Sequence, residues 1–251
     1  MVSTVLNSTE WLQTPLGRYV VDWEQTQLDA LLVDIFGYNA LQLGLGSENL
    51  LRANRMPYQL VAGEPVAGDL GRVAVMTKED ALPFASASLD LVVLAHVLEF
   101  AANPHQVLRE VERVLVAEGS VVIAGFNPFS LWGLTRWRRK KGGEWPWCGQ
   151  YLSAARVRDW LALLGFDASA SHFGCHAPAV SAPEWLARWR WLDAIGRRWW
   201  PVCGAAYVVH GIKRVVGARL IQPNWREQPT RAKSRVAMVR RDSQLGRQRV
   251  E

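Results

Sequence analysis

The sequence predicts an α/β fold, a doubly wound and mainly parallel sheet of seven strands with helices on both faces. Two stretches carry that expectation. Leu82 to Gly125 reads as strand, helix, strand. Leu89, Leu91, Val92, Val93 and Leu94 form a nearly continuous apolar run, the pattern of a strand covered on both sides. Val107, Leu108, Val111, Val114 and Leu115 then recur at helical spacing on one face, and Ser120 to Ala124 supply the second strand. Two buried strands joined by a helix of this length run parallel, with a right-handed crossover. The other stretch is Ala40 to Leu43, which runs into Gly44-Leu45-Gly46. A strand ending in Gly-x-Gly is where such a sheet brings backbone N–H groups close to a ligand, because a Cβ would hold the ligand off.

The elements follow in order. Residues 1–21 show no clear period. From Asp22 a helix is expected, with Leu28, Leu31, Leu32, Ile35 and Phe36 on one face and Gly37 as its stop. Leu50 to Arg55 reads as a short helix, Tyr58 to Ala62 as strand two and Val73 to Met76 as strand three. Asn103-Pro104 starts the crossover helix, the Asn side chain accepting from a free N–H and the Pro having none to lose. Gly119 is expected as its left-handed cap. Phe126-Asn127-Pro128-Phe129 is a turn at the ligand edge of the sheet.

An insertion over about 130–150 interleaves Trp132, Trp137, Trp145 and Trp147 with Arg136, Arg138, Arg139, Lys140 and Lys141. Three readings stand: a lid whose tryptophans pack on the domain, a membrane-surface contact with tryptophans at headgroup depth, and a single-stranded nucleic-acid surface. The lid leads. Ser153 caps a helix carrying Val157, Trp160, Leu161 and Leu164 and ending at Gly165. Phe166 to Ser171 is strand six. A second insertion, about 178–204, holds the helix Glu184 to Trp200, with Trp185, Leu186, Trp189 and Leu192 on one face. Ala205 to Val215 is strand seven. The division is therefore an N-terminal segment 1–21, a domain 22–222 and a tail 223–251.

Composition narrows the function. At 251 residues and 49% hydrophobic content the chain has ample core for one domain. No apolar run is long enough to span a bilayer, and the N-terminus lacks a signal pattern, so a cytoplasmic protein is expected. Three scattered cysteines, Cys148, Cys175 and Cys203, give neither a disulfide framework nor a zinc pattern. His172 and His176 flank Gly174, which argues against a helix presenting both to a metal; no metal is expected. The net charge of +6 is concentrated beyond Pro223, where eight Lys or Arg face three acids. A folded nucleic-acid binder carries its charge on its folded face, so nucleic acid is disfavoured as a partner.

The phrases LPF, SLDLVVL, HVLEF, NPHQVLREVERVL and VVIAGFNP resemble the class I S-adenosylmethionine-dependent methyltransferases of the type 11 kind, and GFNPFSLWG resembles a proteobacterial subgroup of them. The resemblance covers Leu41 to Phe129 well and Ser153 to Val215 more loosely. It implies a Rossmann-like methyltransferase fold with an antiparallel last strand, and S-adenosyl-L-methionine as cofactor. By resemblance the cofactor lies across the carboxyl ends of strands one to four, touching Gly44, Leu45, Gly46, Glu64, Glu79, Asp80, Ala81 and His96. Glu64 is the candidate for the ribose hydroxyls. Two positions depart from the family pattern. Gln42 stands where an acid usually meets the cofactor's ammonium, which implies weaker binding or help from Glu48. Lys78 stands where an Asp usually meets the adenine, leaving Glu79 or Asp80 to substitute. His96 is a weak candidate for a catalytic base.

The expected function is methyl transfer to a small molecule, flat or lipophilic to suit the Trp-rich cover. The alternative is a methyltransferase fold that no longer catalyses and serves as a binding or scaffold module, at the cytoplasmic face of the inner membrane. A nicotinamide-dependent oxidoreductase is disfavoured, because Gly44-Leu45-Gly46-Ser47-Glu48-Asn49 lacks the third glycine of the dinucleotide fingerprint.

Overall fold

The computed structural model describes residues 8–63, 74–139, 145–169, 171–180 and 182–215. Glu64 and the tail 223–251 lie outside the described residues. Within them the chain forms β1 (Asn39–Leu43), β2 (Tyr58–Gly63), β3 (Val75–Met76), β4 (Leu89–Ala95), β5 (Leu115–Phe126), β6 (Phe166–Ala168), β7 (His172–Gly174) and β8 (Ala206–Lys213). The helices are α1 (Ser8–Leu12), α2 (Pro15–Leu32), α3 (Pro104–Val114), α4 (Leu131–Arg139), α5 (Ala154–Leu163), α6 (Pro183–Trp189) and α7 (Trp191–Trp199), followed by a 3-10 turn, Pro201–Cys203.

The sheet order is β3-β2-β1-β4-β5-β8-β6, with β7 also paired to β8. β1 to β5 are parallel, and β8 enters antiparallel beside β5, with Phe126 opposite Ala206. The order reverses between β1 and β4, the switch point where ligands of open α/β sheets bind. One apolar layer, including Val107, Leu108 and Val111 of α3, covers one face. The other face is covered by α2 and an aromatic cluster containing Trp11, Phe126, Trp132 and Trp145.

The family phrases have physical jobs. Arg113 of α3 reaches back to the loop before β4, donating to Leu82 O (3.0 Å) and Phe84 O (2.9 Å), and pairs with Glu110. Glu110 in turn accepts from Leu82 N at 3.1 Å. Asp90 of β4 accepts from the amides of Tyr38 and Asn39, both at 2.9 Å, which fixes the entry to β1. Gly37 is required there, since a Cβ would lie 2.4 Å from Asp90 Cβ. Asn127 donates to Val202 O and Gly204 O (2.8 and 2.9 Å), so the turn after β5 is stitched to the start of β8.

Several expected boundaries shift. The N-terminal helix starts at Pro15 rather than Asp22, with Thr14 accepting from Gly17 N; Thr14-Pro15 is a cap signal that weak periodicity had obscured. It ends at Leu32, leaving Phe36 exposed. Leu50 to Arg55 is a turn and not a helix, and Asn54 donates its side-chain amide to Leu32 O and Ile35 O, closing the end of α2. The left-handed residue after α3 is Glu118 (φ +63°), one place before Gly119. Strand six divides into β6 and β7, both on β8, so the sheet has eight strands. The Trp-rich helix breaks at Arg190 into α6 and α7, and Trp185 turns to solvent while Leu186 is buried.

Candidate functional site

At the carboxyl end of β1 the chain turns through Gly44 (φ +80°) and Leu45 (φ +45°). A Cβ on Gly44 would stand 2.2 Å from Ala95 O and 2.9 Å from Val97 Cγ2, so only glycine lets the turn press against the end of β4. Gln42 is buried beneath this turn. Its Nε2 faces Gly44 O (3.2 Å), Leu45 O (3.1 Å) and Glu48 O (2.9 Å), while its Oε1 accepts from Leu50 N (3.1 Å). The amide is therefore committed to shaping the turn. This explains the departure at position 42: a carboxylate has no hydrogen to give to three carbonyls. Restoring the family's usual acid with Gln42→Glu should weaken donor binding at least tenfold and lower stability, because buried unsatisfied acceptors cost about 1–3 kcal/mol each. Isothermal titration with S-adenosylhomocysteine checks this, and tighter binding by the variant would refute it.

Glu48 pairs with Arg18 of α2 at 2.9 Å. Ser47, which sequence reasoning passed over, has a buried hydroxyl without a hydrogen-bond partner among the described residues. Its signal was only its place, directly after Gly46. Between the loop after β3 and the loop after β4 lies a crevice of about 250 Å³, lined by Lys78, Glu79 and Asp80 on one side and by Phe100 to Asn103 on the other. Ala81 closes the first loop, its amide bonded to Lys78 O and its carbonyl to the Thr77 hydroxyl. The two acids and the lysine thus share one crevice, at the sheet edge that also carries the glycine turn.

His96 stands apart from that crevice. It follows β4 in the left-handed region (φ +53°), and its ring is buried between two carboxyl groups. Nε2 lies 2.8 Å from Glu24 Oε1 of α2, and Nδ1 lies 3.2 Å from Glu99 Oε1. Glu99 Oε1 also accepts from Phe126 N at 2.7 Å, at the end of β5. Burial by itself pushes the imidazole pKa down; Glu24 and Glu99 together override it and raise it to about 10. At neutral pH the ring is an imidazolium and has no lone pair to accept a proton, which argues against a base role. Phe126 lies 4.1 Å from the ring by centroid, and Trp145 lies 5.9 Å away. The second oxygens of Glu24 and Glu99 have no partner among the described residues.

The helix α2 thus ties together the surroundings of the sheet edge. Arg18 holds the glycine turn, Glu24 holds the ends of β4 and β5 through His96, and Tyr19 donates to Asp193 of α7 at 2.6 Å. Burial drives the Tyr19 hydroxyl pKa well above its ordinary value, so it stays a donor. Spacing from Asp22 onward showed an apolar face and nothing of this, since the partners lie 30 to 174 positions away.

Comparison with known proteins agrees with this architecture. The methyltransferase domain family matches residues 37–123, the stretch from the entry of β1 to β5. The Escherichia coli protein "Uncharacterized protein YafS" is 33% identical over 165 residues, covering 65% of this chain and 67% of that protein. The chain belongs to the class I S-adenosylmethionine-dependent methyltransferases. Among solved structures, a SAM-dependent methyltransferase from Thermotoga maritima superposes with a TM-score of 0.60 at 16% identity, covering 82% of this chain and 94% of that one. One from Archaeoglobus fulgidus gives 0.54 at 16% identity, covering 76% and 94%. The cofactor of the family is S-adenosyl-L-methionine. The chain's residues fit it: the turn after β1 ends at the switch point of the sheet, and the buried Ser47 hydroxyl there lacks the partner a polar ligand would give it. Among the described residues no helix is long and apolar enough to cross a membrane.

Proposed function

We propose that this methyltransferase transfers a methyl group from S-adenosyl-L-methionine to a flat or lipophilic small molecule. The observation that carries the reading is the turn Gly44–Ser47, pinned from below by Gln42, seated against the end of β4 because Gly44 has no Cβ, and carrying the partnerless Ser47 hydroxyl. The donor supplies a methyl group already activated on sulfonium sulfur. The chain's part is to align the acceptor and exclude water, and no base is required unless the acceptor must lose a proton. Gly44 to Ser47 and the Glu79–Asp80 crevice hold the two ends of the donor in this reading. Glu64, outside the described residues, remains the candidate for the ribose.

The acceptor class rests on the aromatic wall beside the end of β4. Trp145 stacks on Phe100 at 5.5 Å between centroids and meets Phe126 edge-on at 5.8 Å. Trp145 and Phe126 are buried and back Phe100, the ring of this set that lines the crevice and can receive a planar or apolar molecule. His96 is a fixed cation in that wall and is assigned a positioning role through Glu24.

Thermal shift tests the reading. S-adenosylhomocysteine at about 100 times its dissociation constant should stabilise the protein by roughly 2.7 kcal/mol, while NAD should give no shift. No response to S-adenosylhomocysteine at millimolar concentration would favour the non-catalytic scaffold instead.

A further inference from the structure

The face made by α4, α7 and the 3-10 turn gathers several large exposed hydrophobic side chains. Phe129, Trp137, Trp199 and Trp200 are 73%, 78%, 70% and 59% exposed, and Leu134 and Val202 are exposed beside them. Phe129, Leu134, Trp137 and Trp200 belong to one face, because with Leu192 they line an apolar cavity of about 610 Å³ between α4 and α7; Trp199 and Val202 flank Trp200 along the chain. Contiguous apolar surface of this kind marks an interaction site.

The sequence that builds it is basic, and the acid of α7, Asp193, is taken up by Tyr19 and the His176 amide. No Asp or Glu occurs from Gly119 to Gly143, a stretch holding Arg136, Arg138, Arg139, Lys140 and Lys141. None occurs from Ala194 to Arg226 either, where Arg197 and Arg198 directly precede Trp199 and Trp200 and are exposed. Tryptophans flanked by cations with aliphatic side chains between them match a bilayer interface: indole rings at headgroup depth, aliphatic groups below, cations against anionic lipid. A nucleic acid would use the cations and rings but would leave Leu134 and Val202 in water.

We propose that this face docks on an anionic lipid bilayer and that the cavity opening through it admits a lipophilic molecule from the membrane. The second clause rests on the methyl-transfer reading; the docking itself does not. His176, buried at the cavity wall with Nδ1 3.8 Å from Asp193 Oδ1 and Nε2 without a hydrogen-bond partner among the described residues, is the polar group such a molecule would meet.

The test is co-sedimentation of the full chain with phosphatidylglycerol and with phosphatidylcholine vesicles, each also run with the variant Trp137→Ser/Trp199→Ser/Trp200→Ser. S-adenosylhomocysteine thermal shift is measured on every sample. The expected result is pelleting with phosphatidylglycerol, little with phosphatidylcholine, and roughly tenfold or greater loss of partitioning in the variant. Since the variant keeps the basic tail, equal pelleting of variant and native protein would overturn the proposal by assigning binding to the tail. So would a soluble dimer that ignores vesicles, or displacement from vesicles by substoichiometric single-stranded DNA. A variant that loses lipid but keeps the S-adenosylhomocysteine shift supports docking with the donor site intact. Lipid binding without any such shift would refute the methyl-transfer reading and leave the docking face standing.

Discussion

His96→Asn is expected to destabilise the protein by about 3–5 kcal/mol, the cost of leaving buried carboxyl groups without their cation. Asparagine tolerates the left-handed backbone at position 96, so the loss reports charge and not strain. Glu24 and Glu99 would face each other across the vacated ring, among Phe126 and Trp145, where no water can screen them. For a chain of this size the melting temperature should fall by roughly 10 °C. Urea denaturation measures it, and a loss under about 1 kcal/mol would show that the clasp holds little. The pH dependence follows from the same pair of contacts. The folded-state pKa of about 10 lies above the ordinary 6.5. The contribution is therefore fully present below about pH 6.5 and is lost as pH rises toward 10. Native stability should decline across that window, and His96→Asn should flatten the decline.

Gly44→Val is expected to abolish the S-adenosylhomocysteine thermal shift. The substitution forces a β-branched residue to φ +80° and drives its Cβ into Ala95 O at 2.2 Å. The backbone strain costs about 1–3 kcal/mol and the clash a similar amount, so the turn moves and the end of β4 moves with it. Gly63→Ala is the matched control. A Cβ there meets nothing within 4 Å, and that variant should keep both its stability and its shift. If Gly44→Val binds S-adenosylhomocysteine like the native protein, the glycine turn is not the donor's seat.

These two residues mark the difference between what could and could not be read from the chain. The place of Gly44 was legible because a strand running into a glycine turn is a local pattern, although the contact that demands glycine, the Ala95 carbonyl at the end of β4, is not local. Asn103, Ser153 and the apolar face of α3 were legible for the same reason, since caps and helical periodicity act over one or two turns. His96 was visible only as a histidine at a strand end. Its partners come from position 24 and position 99, and nothing in the spacing links Glu24 to it. The job of Gln42 was misjudged from sequence in the same way. Against a family pattern it looked like a lost carboxylate, whereas its amide meets carbonyls at 44, 45 and 48 that only a folded turn brings together.

The tryptophans divide along the same line. The sequence placed nine of the thirteen in two insertions and could not say which pack inward. The fold buries Trp132, Trp145 and Trp147 around Trp11, and leaves Trp137, Trp199 and Trp200 in solvent. By itself the sequence determined the α/β architecture, the parallel order around the crossover and the place of the glycine turn, because short-range pattern and obligatory backbone bonding allow few alternatives. Only the tertiary structure decided the charge state of His96, the duty of Gln42 and which aromatic rings face outward. Those depend on burial and on partners brought close by folding, and desolvation has no value until the neighbours are known.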